Sequence, residues 1–320
     1  MAETFVRRHR FGVFYTLALL IVCGVMAVGF ALRTFGLMGE LIAFLKANGL
    51  YPNVISIGRF GLRQPLAWLI LVFAAAPSIA ALITSAWADG TPGVRSLLGR
   101  LAPWRPAVAK RDALRAWALL LGVAALVTGI HVALAWRERG SEAGATALAV
   151  LGGTPSAILL SLLIGGFIDE GGTMEELGWR GFALPLLLDR HSSPLRATFV
   201  LGFLWWLWHS PRELPGLLEG AKLGSFVLNQ CLFLLLCIAL SVVITYFWFR
   251  TGCSALVGVF IHGITNVWSK ALGAPAVALI GWSSRDIVVV VSAILVLALA
   301  GSRLGRPRIA VSEGDHCGGR

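Results

Sequence analysis

Hydrophobic and polar positions along this chain do not alternate. They segregate into long apolar runs divided by short charged stretches. The first run, 11–32, follows a polar start with Arg7, Arg8 and Arg10. About 20 apolar residues are needed to cross the hydrocarbon core of a bilayer as a helix, and this run has that length. A secretory signal would have a shorter apolar core, so the run is read as a retained helix. Comparable runs recur at 65–88, 116–136, from 145 or 155 to about 169, at 197–209, 223–249, 254–268 and 287–300. The pattern predicts an all-α polytopic membrane protein of about eight transmembrane helices. A β-barrel would need alternating strands instead of continuous runs. Residues 33–64 are expected to form an amphipathic connection. Pro77 is expected to kink the second helix, and Gly171-Gly172 to loosen the fourth before Thr173.

Composition agrees with the pattern. Hydrophobic residues make up 57% of the 320, charged residues only 13%, and mean hydropathy is +0.80; soluble domains carry about 25% charged residues. The net charge of +11 is read through the membrane. Arg95, Arg100, Arg105, Lys110, Arg111 and Arg115 crowd the loop 89–115, the mark of a cytoplasmic anchor. A nucleic-acid partner is not expected; the partner is the lipid bilayer. Segment 94–104 suits a short interfacial helix. The Lys and Arg bias places both termini in the cytoplasm. Cys23, Cys231, Cys237, Cys253 and Cys317 lack paired metal-ligand spacing, and no disulfide is expected.

Against this background the stretch 174–180, Met-Glu-Glu-Leu-Gly-Trp-Arg, stands out. Ionisable groups at membrane depth are costly unless paired, and mark function by default. On a helix Glu176 and Arg180 are four residues apart in the favourable order for pairing, while Glu175 points about 100° away. One carboxylate is neutralised and the other is left for chemistry. Thr173 and Glu176 also have the spacing of a capping box, but that explains neither Glu175 nor Arg180. Downstream, Trp205 and His209 share a helix face, as do His262 and Asn266. Their depths are compatible with one pocket open to the cytoplasm.

A carboxylate, two imidazoles and an amide suit water activation and oxyanion stabilisation. The same set is compatible with a divalent metal such as zinc. The spacing of a standard zincin is absent, and Asn is a poor zinc ligand, which favours a metal-free site. Structural readings stand beside these: an ion pair for Glu176–Arg180, and interhelical hydrogen bonding for His262 and Asn266. Asp169, Glu170 and His191 are read as solvated loop residues, and His131 as a solvated or satisfied histidine.

The motifs Glu175-Glu176-x-x-x-Arg180, Trp205-x-x-x-His209 and His262-x-x-x-Asn266 resemble, in order and separation, those of the CPBP intramembrane proteases, the CAAX-processing type 2 and bacteriocin-processing (Abi) group. The resemblance covers about residues 150–270. Trp205 departs from it, since the family usually has Phe there. The resemblance implies an active site inside the bilayer and proteolysis of peptide or membrane-protein substrates, prenylated ones included. Glu175 would be the base, His209 would orient or activate the water, and His262 with Asn266 would form the oxyanion site. Glu176, Arg180 and Trp205 would support them. The family has been described both as metalloproteases and as glutamate proteases. The organisation expected is 1–115 for the N-terminal helices and basic loop, 116–300 for the catalytic membrane core, and 301–320 for a disordered cytoplasmic tail, all in a plasma membrane. Two other readings compete: a non-catalytic immunity or scaffolding protein, and a proton-coupled transporter, which would be expected to carry paired discontinuous helices.

Overall fold

A computed structural model describes residues 2–306, apart from 33, 49, 151–154, 219, 221, 271–275 and 278–281. The chain is helical nearly throughout. In order come α1 (Ala2–Arg8), α2 (Arg10–Ala31), α3 (Leu37–Ala47), α4 (Val54–Gly61), α5 (Trp68–Leu98), α6 (Lys110–Val150), α7 (Pro155–Ile168) and α8 (Glu170–Glu176). A π-helical segment, Leu177–Ala183, leads into α9 (Leu184–Arg190), α10 (Pro194–Leu218), α11 (Leu223–Arg250), α12 (Ala255–Lys270) and α13 (Ser284–Ala300). A two-residue antiparallel pair joins Ala276–Val277 to Trp282–Ser283. Proline at the first position of α7 and α10 supplies a preset φ where no backbone N–H is required. Capping boxes start α4, through Asn53 and Ser56, and α13, through Ser283 and Asp286.

Among the described residues, five helical stretches are long and apolar enough to cross a membrane: Arg10–Ala31, Pro65–Leu101, Lys110–His131, Leu223–Arg250 and Ser284–Arg303. They take up the first, second, third, sixth and eighth expected spans. The other three expected spans fall on α7–α8, α10 and α12, which are shorter, broken or more polar. The connection 33–64 forms a small layer of its own, where Leu41 and Leu45 of α3 pack with Ile57 and Phe60 of α4.

Local details depart from the expectations. In α5 the chain leaves helical geometry at Gly90 (φ 64°, ψ −153°) and not at Pro77. A positive φ suits Gly, and Pro92 follows closely. Past this break a short helical piece runs on to Leu98, then a 3-10 turn over Gly99–Leu101, overlapping the short helix expected over 94–104. At the C-terminal end Leu304 is fully buried, so the residues just after 300 pack on the bundle; residues 307–320 lie outside those described. Cys253 is disulfide-bonded, contrary to expectation.

Burial sorts the helices. On α2 only Phe14, Ala18 and Val22 are buried, one stripe at four-residue spacing. Phe14 meets the rings of Trp179 (5.6 Å) and Phe182 (5.2 Å). By contrast, 12 of the 16 residues of α12 are buried, as is every residue from 175 to 185. These two inner segments, walled by α5, α10 and α11, carry the polar residues.

Candidate active site

The site begins where α7 stops. Asp169 leaves helical geometry (φ −59°, ψ 136°) and caps α8, its Oδ1 accepting the Gly172 N–H at 3.0 Å. This redirects the chain so that α8 lies against α12. The approach is close. A Cβ on Gly172 would sit 2.5 Å from the Val259 carbonyl oxygen, and one on Gly171 would sit 2.9 Å from His262 Nε2. The glycine pair therefore packs α8 onto α12 and does not loosen the helix as expected. The capping box does not form either: Thr173 Oγ1 donates to the Phe167 carbonyl at 2.8 Å.

At the end of α8 the two carboxylates diverge. Glu176 turns inward, and its Oε1 accepts from Arg180 Nη1 (2.7 Å) and His262 Nδ1 (2.9 Å). Arg180 also donates from Nη2 to Ser241 Oγ at 3.0 Å and lies over the Trp205 ring, 4.5 Å from its centroid. Glu176 and Arg180 are both 0% exposed. A desolvated pair of this kind holds only while both members are present. The π-helical segment carrying Arg180 is a rare geometry that recurs at functional sites. Gly178 within it abuts the backbone of Pro77.

Glu175 turns the other way, into a cavity of ≈ 790 Å³ that His209, His262 and Asn266 also line. Its Oε2 accepts the Trp205 indole N–H at 2.7 Å, a bond that Phe could not make. His209 Nδ1 lies 2.9 Å from the Trp205 carbonyl oxygen. A carbonyl only accepts, so Nδ1 carries the proton and Nε2 is left for the cavity. The same argument applies to His262, whose Nδ1 faces a carboxylate. Trp205 thus touches most of the constellation. Its ring also meets His262 edge-on at 5.0 Å, while Trp208 and Phe233 clamp His209 at 4.6 and 5.1 Å.

Asn266 does not stand free. Its Nδ2 donates to Asp169 Oδ1 at 2.8 Å. Lys270, one turn further along α12, donates to Asp169 Oδ2 (2.7 Å) and Glu170 Oε1 (2.5 Å). Asp169 is 0% exposed, so the reading of Asp169 and Glu170 as solvated loop residues is wrong. Sequence reasoning missed Asp169, Lys270 and Ser241. A signal existed for one of them: His262, Asn266 and Lys270 recur every fourth residue on a single face. His131 is buried against Trp268, with stacked rings 5.1 Å apart, and neither it nor His191 lines the cavity. Among the described residues, no three His, Cys, Asp or Glu side chains converge closely enough to form a metal-binding group.

Comparison with known proteins bears on the same segment. Residues 154–268 match the family model of type II CAAX prenyl endopeptidases, Rce1-like. This segment is similar to the type II CAAX prenyl endopeptidases and carries the motifs by which the chain resembles the CPBP proteases. A CAAX prenyl protease 2 from Methanococcus maripaludis is 28% identical over 105 residues, which are 31% of this chain and 37% of that protein. The match thus spans little more than a third of the relative's length. Within the matched segment lie Glu175, Glu176, Arg180, Trp205, His209, His262 and Asn266, and also Asp169; Lys270 falls just beyond it.

Proposed function

We propose that this protein is an intramembrane endopeptidase that hydrolyses peptide bonds with a water activated by Glu175 and His209. The observation that carries the reading is the divergence of the two adjacent carboxylates. Glu176 is consumed by Arg180 and His262, while Glu175 keeps one oxygen for a cavity it shares with His209. A water between Glu175 and His209 Nε2 gives its proton to the Glu175 carboxylate as its oxygen attacks the scissile carbonyl carbon. The oxyanion that forms accepts the Asn266 amide hydrogen not given to Asp169. It also accepts from His262 Nε2 when that ring is protonated beside Glu176. The C–N bond then breaks as the proton held on Glu175 passes to the leaving amine. Trp205 fixes the Glu175 rotamer, and Glu176 with Arg180 holds His262.

The cavity is mostly apolar beyond these groups. Met26, Phe30, Leu37, Phe73 and Val289 line it, with Arg212 and Arg285 among them. That lining suits a peptide carrying apolar side chains or a lipid. The relative's name supports prenylated proteins as substrates, and the family supports membrane-associated peptides more widely. Both termini are assigned to the cytoplasmic side of a plasma membrane, from the basic loop 89–115.

The test compares the purified wild type with Glu175→Gln in detergent, on quenched-fluorescent peptides with and without a prenyl group, each with and without a chelator. The wild type is expected to cleave, and Glu175→Gln to lose roughly 10²- to 10⁴-fold, the worth of a general base. Equal cleavage by both proteins would remove Glu175 from the chemistry. Loss of cleavage with the chelator, restored by one metal, would replace the carboxylate–imidazole scheme with a metal-bound water. A wild type silent on every peptide would point to a non-catalytic membrane binder.

A further inference from the structure

Asp169 and Lys270 lie outside the three motifs, yet they meet the site through Asn266. The amide of Asn has a donor end and an acceptor end of nearly equal shape, and its orientation is set by its partners. Here the partner is an aspartate, fully buried and bonded through both oxygens: Oδ1 to the Gly172 N–H and Asn266 Nδ2, Oδ2 to Lys270 Nζ. An ionised carboxylate only accepts. It therefore dictates that the NH2 end of Asn266 faces it, with the second N–H directed away at the angle of a planar amide. Lys270 Nζ donates to the second oxygen of Asp169, so both oxygens of that carboxylate are engaged as acceptors. Glu170 holds Lys270 from its other side. The same Asp169 caps α8, the helix that ends at Glu175. One carboxylate thus fixes both the amide on α12 and the start of the helix that carries the base.

We infer that Asp169 and Lys270 are positioning residues that hold the Asn266 amide in the one orientation able to donate to the oxyanion. The inference rests on the proteolytic reading above, in which Asn266 meets the oxyanion. Asp169→Asn is the informative change. It keeps the size of the side chain and an acceptor for Gly172, but its own amide can donate as well as accept. The orientation of Asn266 is then no longer dictated.

The test uses the full-length protein in detergent and five variants: Asp169→Asn, Lys270→Met, Lys270→Arg, Asn266→Ala, and Asp169→Asn combined with Asn266→Ala. Peptide cleavage gives kcat and KM. The side-chain NH2 resonance of Asn266, seen in protein labelled with 15N-asparagine and assigned by its loss in Asn266→Ala, gives a readout independent of activity. Asp169→Asn is expected to lower kcat roughly 10- to 100-fold, the scale of a misplaced catalytic group, with KM changed less than about threefold. It should cost nothing further on top of Asn266→Ala. Lys270→Met should act in the same direction, and Lys270→Arg should restore most of the rate. The Asn266 resonance should shift and exchange faster with solvent in Asp169→Asn and in Lys270→Met. Multiplying losses in the double variant would overturn the inference, as would kcat and KM moving together, or an Asn266 resonance indifferent to both changes. Should Asp169→Asn not fold, the Lys270 pair decides alone, by recovery with Arg or its absence. A wild type that cleaves nothing, with a resonance that still responds, would uphold the positioning link and remove only the proteolytic reading.

Discussion

Helices α2 and α12 are both apolar, and both lie in the bundle, yet they present opposite problems. On α2 only three of 22 residues are buried, and its outer face, with Leu20, is exposed. Its requirements are length and hydropathy, which many sequences satisfy. On α12, 12 of 16 residues are buried, and at 16 residues the helix is shorter than the run needed to cross a bilayer. Every face of it is spoken for. Gly258 lies against Glu176, Gly263 against the backbone of Gly166, and His262 and Asn266 against α8. The outer helix is specified by its solvent, the inner one by its neighbours. Changes on the two should differ in cost by an order of magnitude.

The largest gap is expected at Arg180. Its guanidinium is held by Glu176 and Ser241 and lies over Trp205, with no access to solvent. Arg180→Ala strands a buried Glu176 carboxylate and should destabilise the protein by about 3–5 kcal/mol, read by reversible unfolding in mixed micelles. Glu176→Gln with Arg180→Met, which removes both charges and keeps volume, should recover much of the loss. If Arg180→Ala melted like the wild type, the view of the inner segments as a paired, desolvated network would be untenable.

This contrast also explains what the sequence disclosed. The outer spans could be read because lipid asks only for an apolar run, and 11–32, 223–249 and 287–300 supply it. The paired and free carboxylates could be read because helical period alone separates Glu175 from Glu176 and brings Arg180 to the latter. Asp169 could not. It sits before Gly171-Gly172 and two residues after Phe167, a context that looks like the polar end of a helix. Its burial arises only when Asn266 and Lys270, about 100 positions away in sequence, arrive on α12. The role of the glycines was misread for the same reason. A glycine that loosens a helix and one that admits a neighbouring backbone are identical in sequence, and only the neighbour distinguishes them.

Glycines sharpen the comparison at intermediate scale. Gly178 abuts the backbone of Pro77, which cannot retreat, whereas Gly24 on α2 has nothing within 4 Å of where a Cβ would be. Gly178→Ala should cost about 1–3 kcal/mol as overpacking and should also slow cleavage, because the π-helical segment carries Arg180. Gly24→Ala should stabilise by about 0.5–1 kcal/mol through the helix backbone alone. The same unfolding assay reads both, and the opposite signs are the point. A destabilising Gly24→Ala would mean that α2 has a close neighbour on that face.

The smallest effect belongs to Leu20, 62% exposed on α2 and turned away from the stripe of Phe14, Ala18 and Val22. In water an exposed leucine of this kind would be a liability; in a bilayer it is solvated. Leu20→Ala should change stability by no more than about 0.6 kcal/mol, the weight of one leucine in membrane insertion, and should leave the cleavage rate as it is. Leu20→Asn is the sharper probe, since a polar side chain facing lipid has no partner and should weaken insertion of α2, seen as a lower folded yield from membranes. If Leu20→Asn were as well tolerated as Leu20→Ala, that face of α2 would be meeting water or protein in place of lipid. The assignment of α2 as an outer helix would then have to be redrawn, while the inner network around Glu176 and Asp169 would be unaffected.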